Sequence, residues 1–306
     1  MNIIEGHGLG KRYRRTWALR DCSLAIPEGS VVALVGPNGA GKTTLLNLMV
    51  GLIEPTEGRV SVLGGEPAGS ARALDGVGFV AQDTPLYQNL SVADTLRVIA
   101  SLNRRWDQQR AEARLAELGI PLARRVGRMS GGQQAQLALT LALARQPRLL
   151  VLDEPLAMLD PLARFDFMDT VMTAASADGL SVVLSSHVLA ELERVATYLI
   201  VLSHGCLQLA GQVDELLAGH RVLAGPAAEA ATLAGRVQVV HAAQNRDQAR
   251  MLIAAAEVDV PLPDGWREHP PSLEETALAY LRGPAEIGVP ASVAPAGPAE
   301  VTARPR

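Results

Sequence analysis

Apolar and polar positions divide the first two thirds of the chain into short, regularly punctuated elements. The opening residues alternate as a half-buried strand does, up to the turn Ile26-Pro27-Glu28-Gly29. The run Ser30 to Val35 is continuously apolar and stops at a glycine-rich loop, Gly36 to Gly41, after which Thr44 to Val50 favour a helix. Strand, glycine loop and helix in that order predict the first unit of a parallel α/β sheet. Further strands are expected at Arg59–Leu63, Gly76–Ala81, Leu149–Asp153, Ser181–Ser185 and Tyr198–Leu202. The last should turn at His204-Gly205 into a hairpin with Cys206–Ala210.

Between Gly76–Ala81 and Leu149–Asp153 the period changes to that of helices. Ser91 is placed to cap Val92–Leu102, Asp107–Leu118 has helical spacing, and a third helix starts at Gly131 and runs to about Arg145. From about residue 220 the pattern weakens. It predicts a strand at Val237–His241, a helix at Asp247–Ala256, and a helix at Leu273–Arg282 capped by Ser272. Beyond Gly283 the Pro/Ala-rich composition predicts disorder over 284–306. The resulting division is a main domain over 1–218 with a helical subdomain at about 83–146, and a small accessory domain over 219–283.

Composition adds limits. The chain has 306 residues, of which 48% are hydrophobic and 20% charged, enough to bury a core. A net charge of −4 gives no overall pull towards nucleic acid, so no nucleic-acid partner is expected. Two distant cysteines, Cys22 and Cys206, argue against structural zinc and suit a reducing compartment. Met1–Gly6 lacks the basic and apolar stretches of a signal peptide, and no run reaches the ~18 apolar residues of a membrane span. The longest apolar stretch, Leu137 to Ala144, is shorter. These features predict a soluble, cytoplasmic chain. Nearly all its basic residues are arginine, the lysines being Lys11 and Lys42.

Lys42 stands in Gly36-Pro37-Asn38-Gly39-Ala40-Gly41-Lys42-Thr43, which fits the phosphate-loop pattern G-x-x-x-x-G-K-[ST]. Glycines let backbone N–H groups wrap phosphates while the following helix directs its positive end at them. Lys42 would neutralise β/γ-phosphate oxygens and the Thr43 hydroxyl would bind Mg²⁺. Leu149-Leu150-Val151-Leu152-Asp153-Glu154-Pro155 is an apolar strand ending in two carboxylates. Asp153 would then lie at the carboxyl edge of the sheet, suited to Mg²⁺, and Glu154 could accept a proton from an attacking water. A Ser-Gly-Gly turn at a helix start, Met129-Ser130-Gly131-Gly132-Gln133, offers a second anion site.

Together these motifs resemble the ABC ATPases: Met129–Gln133 is similar to their LSGGQ signature and lies at their usual separation before the acid strand. The resemblance, over roughly residues 1–218, implies an α/β fold. Its parts are a P-loop NTPase core of the ABC type, with a parallel sheet and an antiparallel β subdomain, a helical subdomain and a small α+β C-terminal appendage. It implies ATP and Mg²⁺ as ligands, with nucleotide contacts from Tyr13, Gly36, Asn38, Gly39, Gly41, Lys42, Thr43, Thr44, Gln82, Ser130, Gly131, Gly132, Gln133 and Asp160. Metal contacts fall to Thr43, Gln82 and Asp153, and catalysis to Glu154, His187 and Lys42. Trp17 is a weaker alternative to Tyr13 as the ring stacked on adenine. In the family the signature of one subunit covers ATP held by another, so a homodimer is implied.

The segment after Gln82, Asp83 to Leu90, corresponds to the family's contact with a separate transmembrane permease. Pro85, Leu86 and Tyr87 are its apolar residues. Such a subunit would sit peripherally on the inner face of the cell membrane. The segment Pro271–Leu281 resembles the tail of bacterial drug or antibiotic exporter subunits, which implies export of a small molecule. Soluble ABC ATPases that act on DNA carry far longer coiled-coil inserts, and the translation-factor type carries two cassettes. Four positions depart from the family: Met129, Met158 in the D-loop where glycine is common, and Gln136 and Leu141 where arginines are common.

Overall fold

A computed structural model describes residues 1–157, 159–186, 189, 192–255, 258 and 260–283. His187, Met158 and the tail 284–306 lie outside the described residues. The order of elements is β1 (Asn2–Tyr13), β2 (Thr16–Pro27), β3 (Val31–Val35), α1 (Lys42–Met49), β4 (Glu57–Val62), β5 (Glu66–Pro67), α2 (Ala71–Gly76) and β6 (Val77–Val80). Next come α3 (Val92–Leu102), α4 (Gln108–Glu117), α5 (Gly131–Ala144), β7 (Leu149–Leu152), α6 (Pro161–Asp178), β8 (Ser181–Ser186), β9 (Tyr198–Ser203) and β10 (Cys206–Gln212). The chain continues with α7 (Val213–Ala218), β11 (Arg221–Pro226), α8 (Ala230–Ala234), β12 (Val239–Gln244), β13 (Gln248–Ile253), β14 (Arg267–His269) and α9 (Leu273–Arg282). By contacts the described residues form two compact units, Met1–Leu217 with Ser272–Leu281, and Ala218–Pro271 with Arg282 and Gly283.

In the first unit β9, β3, β8, β7 and β6 pair in that order as a parallel sheet, and β10 adds an antiparallel edge. Strands buried on both faces read as continuous apolar runs, which is why VVALV and LLVL carry no alternation. The period-2 pleat nevertheless sorts them. Val31, Ala33, Val35, Leu150 and Leu152 face a core shared with α5, α6 and α9. Val32, Leu34, Leu149 and Val151 face a second core built with α1 and the antiparallel layer β2-β1-β4-β5.

Helix α5 explains the longest apolar stretch. Ala135, Leu139, Ala142 and Leu143 pack towards the sheet, while Leu137, Leu141 and Ala144 join Val92, Leu96, Ala111 and Leu115 in the helical cluster with α3 and α4. A helix greasy on every side is one buried on every side. Met129 and Leu141, two of the departures, are buried in this cluster. Gln136, a third, accepts a hydrogen bond from the Arg114 guanidinium at 2.7 Å, and burial lowers the pKa of that arginine.

The second unit holds an antiparallel sheet in the order β12-β13-β11-β14, with Leu223, Met251, Ile253 and Trp266 in its core. The expected helix over Asp247–Ala256 is here a strand over Gln248–Ile253. Its helix-favouring composition is overridden because Ala249, Met251 and Ile253 fall on one buried face and β11 and β12 pair on its two sides. The last helix, α9, is where it was expected, with Ser272 Oγ accepting the Glu275 N–H at 3.1 Å. It belongs to the first unit, because Leu273 and Ala277 are buried in the sheet's helical-side core.

Candidate active site

The loop between β3 and α1 has the form that phosphate recognition requires. Gly39 and Gly41 adopt φ of 79° and 104°, which side-chain-bearing residues avoid. At Gly36 space is the constraint, since a Cβ would come within 2.2 Å of the Leu202 carbonyl oxygen. Support comes from the β9–β10 turn: the Gly205 N–H donates to the Ala40 carbonyl at 3.0 Å, and the Gly205 carbonyl accepts from the Arg20 N–H at 2.8 Å. No side chain caps α1, whose first-turn amides face the loop's concavity. A bare helix start inside a glycine cradle fits a phosphate group.

Lys42 is 6% exposed, and its ammonium donates to the Gly36 carbonyl at 2.8 Å and the Pro37 carbonyl at 3.4 Å. Its Nζ also lies 3.2 Å from Glu154 Oε1 in an ion pair whose carboxylate is 12% exposed. The phosphate loop and the acid pair therefore meet at one point. Asp153 is 2% exposed, its N–H bonded to the Val80 carbonyl at 2.9 Å and its Oδ1 accepting the Ser185 hydroxyl at 2.7 Å. Glu154 sits at φ 45°, and its N–H donates to the same Ser185 hydroxyl at 2.7 Å. Ser185 was not among the residues the sequence singled out. Its signal was present, as two serines end an otherwise apolar strand directly beside the acid strand.

The residues that would hold a divalent cation, Thr43, Asp153 and Gln82, all carry hard oxygen donors, and the exposed Gln82 follows strand β6, which pairs with the acid strand β7. Among the described residues no cluster of three His, Cys, Asp or Glu side chains could hold a metal. Oxygen donors few in number suit Mg²⁺, which keeps several of its waters.

The signature residues form a separate group. Ser130 and Gln133 make a capping box at the start of α5: Ser130 Oγ accepts the Gln133 N–H, and Gln133 Oε1 accepts the Ser130 N–H, each at 3.2 Å. Arg124 adds a bond to Gln133 Oε1 at 3.3 Å. Gly131 and Ser130 are exposed, and Gly132 leaves its added Cβ 3.4 Å from Leu159. Asp160 caps α6 through the Ala163 N–H at 2.9 Å. Tyr13 is 48% exposed with the Lys11 ammonium 5.5 Å from its ring centre, whereas Trp17 packs against Gly10 between Arg12 and Arg20.

A glycine-cradled helix start, a buried lysine within it and an acid-tipped strand beside it define an ATPase of the P-loop class. A family profile described as ABC transporter matches residues 19–157. The lantibiotic transport ATP-binding protein SrtF of Streptococcus pyogenes is 31% identical over 69% of this chain and 92% of its own length. The Fe(3+) ions import ATP-binding protein FbpC of Pseudomonas fluorescens is 36% identical over 71% of this chain and 63% of its own. A bacterial ABC transporter cassette solved as a dimer is 25% identical, with a TM-score of 0.62 over 69% of this chain and 98% of that one. The chain belongs to the ABC transporter ATP-binding family. It spans 61% of the length of one curated relative and 72% of another.

Proposed function

We propose that the chain is the ATP-hydrolysing subunit of an exporter, working as a homodimer beneath a separate membrane permease. The observation that carries the ATPase part is the meeting of Lys42 and Glu154 at 3.2 Å, which joins a phosphate-binding group to a general base. Loop amides from Gly36 to Gly41, with Lys42, Thr43 and Thr44, hold the phosphates of ATP, and Tyr13 stacks on adenine. Thr43, Asp153 and Gln82 would hold Mg²⁺, which would supply charge neutralisation to the phosphoryl group when bound. Glu154 accepts the proton of the attacking water, and His187 contacts the γ-phosphate. Ser130 to Gln133 and Asp160 of a second copy close over the nucleotide, so the Ser130 hydroxyl and the α5 amides stabilise the developing charge. The relative solved as a dimer supports this arrangement.

Among the described residues no helix is long and apolar enough to cross a membrane. The permease sits on the largely exposed loop from Asp83 to Leu90. Export is supported by the match to SrtF across 92% of that transport protein and by the small appendage. Import proteins are among the relatives too: FbpC extends beyond the matched region, and the thiamine import ATP-binding protein ThiQ is matched over 87% of its length. The test uses everted membrane vesicles that carry the chain and its permease. ATP should drive cargo into them with the wild-type chain. It should not with Glu154→Gln, which keeps ATP binding and accumulates as a dimer. Uptake only in right-side-out vesicles overturns export, and wild-type ATP turnover by Glu154→Gln overturns the assigned base.

A further inference from the structure

We propose that Ser185 is a positioning residue for the acid pair, holding at once the carboxylate of Asp153 and the backbone from which Glu154 projects. The inference rests on the ATPase reading above. Parallel pairing places Leu152 beside Leu184, so the next residues along, Asp153 and Ser185, emerge side by side at the carboxyl end of the sheet. Ser185 is 0% exposed and follows Val182, Val183 and Leu184, so packing alone would be served by another apolar residue.

A hydroxyl has one proton to give and lone pairs to receive. Here the proton goes to Asp153 Oδ1 at 2.7 Å, and a lone pair receives the Glu154 N–H at 2.7 Å. The first bond fixes the rotation of the Asp153 carboxylate and leaves Oδ2 for a cation or its water. The second gives a partner to the amide of a residue at φ 45°, a left-handed conformation that non-glycine residues disfavour. That backbone directs the Glu154 side chain at Lys42. A buried serine always needs partners. The partners here are the two acids, not the backbone of its own strand, and this separates a positioning role from simple satisfaction.

The test compares Ser185→Ala and Ser185→Thr in the full chain, with two readouts: hydrogen exchange of the Glu154 amide without nucleotide, and steady-state ATPase across a Mg²⁺ series. Ser185→Ala should speed exchange of that amide about tenfold and lower kcat about tenfold, as expected for one hydrogen bond to a charged group. The Mg²⁺ concentration for half-maximal rate should rise severalfold, while KM for ATP stays within about twofold. Ser185→Thr, which keeps the hydroxyl, should restore all of these. Unchanged exchange and kcat in Ser185→Ala overturns the inference, as does a threonine variant no better than alanine. An unprotected Glu154 amide in the wild type overturns it even if ATP is hydrolysed. A wild type with a protected amide and no ATPase overturns instead the function it rests on.

Discussion

The Lys42 ammonium has three protons, and three oxygens surround it: two loop carbonyls and the Glu154 carboxylate. Phosphate oxygens can take over from these without leaving a buried donor unpaired, and the exchange frees Glu154 to face water. Lys42→Ala removes a charge-assisted contact worth about 1.5–3 kcal/mol, so ATP affinity should fall by about tenfold or more. Titration calorimetry with MgATP measures this directly, and unchanged affinity would refute the loop's role. Lys42 was legible in the sequence because its motif is local: eight consecutive residues carry the whole geometry. Ser185 was not, because its bonds to Asp153 and Glu154 join residues more than thirty positions apart across two paired strands. The left-handed Glu154 was equally hidden, since no glycine or asparagine announces it.

At the scale of elements, helix α5 joins two packing problems. Its flanks fill the sheet core and the helical cluster, and its N-terminus carries the exposed Ser130 and Gly131. Most elements of the first unit were legible from apolar runs and caps, Val92–Leu102 with its Ser91 cap among them. Strand β13 was not, because Ala249 and Arg250 suit a helix until pairing with β11 and β12 overrides them. Ser130 has two roles that substitution can separate. Ser130→Ala should lose the cap, about 1 kcal/mol of stability, and lower Tm by about 2–4 °C. Ser130→Asp keeps a capping oxygen, so its Tm should stay near the wild type. In the proposed dimer it places a negative charge where the partner's γ-phosphate would dock, so its ATPase should fall at least tenfold. Thermal melts and steady-state rates on both variants decide the matter; equal ATPase in Ser130→Asp and wild type would remove the signature from the nucleotide.

The whole molecule places its phosphate loop and acid pair at the carboxyl ends of β3 and β7, the parallel strands on either side of β8, where such sheets bind ligands. In the proposed function the connection to a permease runs through the loop after β6. Sequence alone gave Pro85, Leu86 and Tyr87 equal standing, and burial separates them. Leu86 packs against the helical cluster, whereas Tyr87 is 72% exposed. Exposure on that scale for a large aromatic ring is what a docking contact offers. The loop is also tied to the segment leading into Ser130. Gln88 accepts the Gly127 N–H at 2.9 Å, Leu90 accepts the Val126 N–H at 3.0 Å, and the Gln88 amide meets Gln134 at 3.3 Å. A partner pressing on Tyr87 would therefore displace a loop bonded directly to the signature's approach. Tyr87→Glu adds a charge at a solvated position, so the isolated chain should keep its Tm and its ATPase rate within about twofold. With the permease present, burial of that charge opposes docking, and transport with permease-stimulated ATPase should fall at least tenfold. Vesicle transport measured beside the soluble ATPase rate separates the two: loss of the soluble rate would assign Tyr87 to the chain's own site, and full transport by Tyr87→Glu would move the permease contact elsewhere.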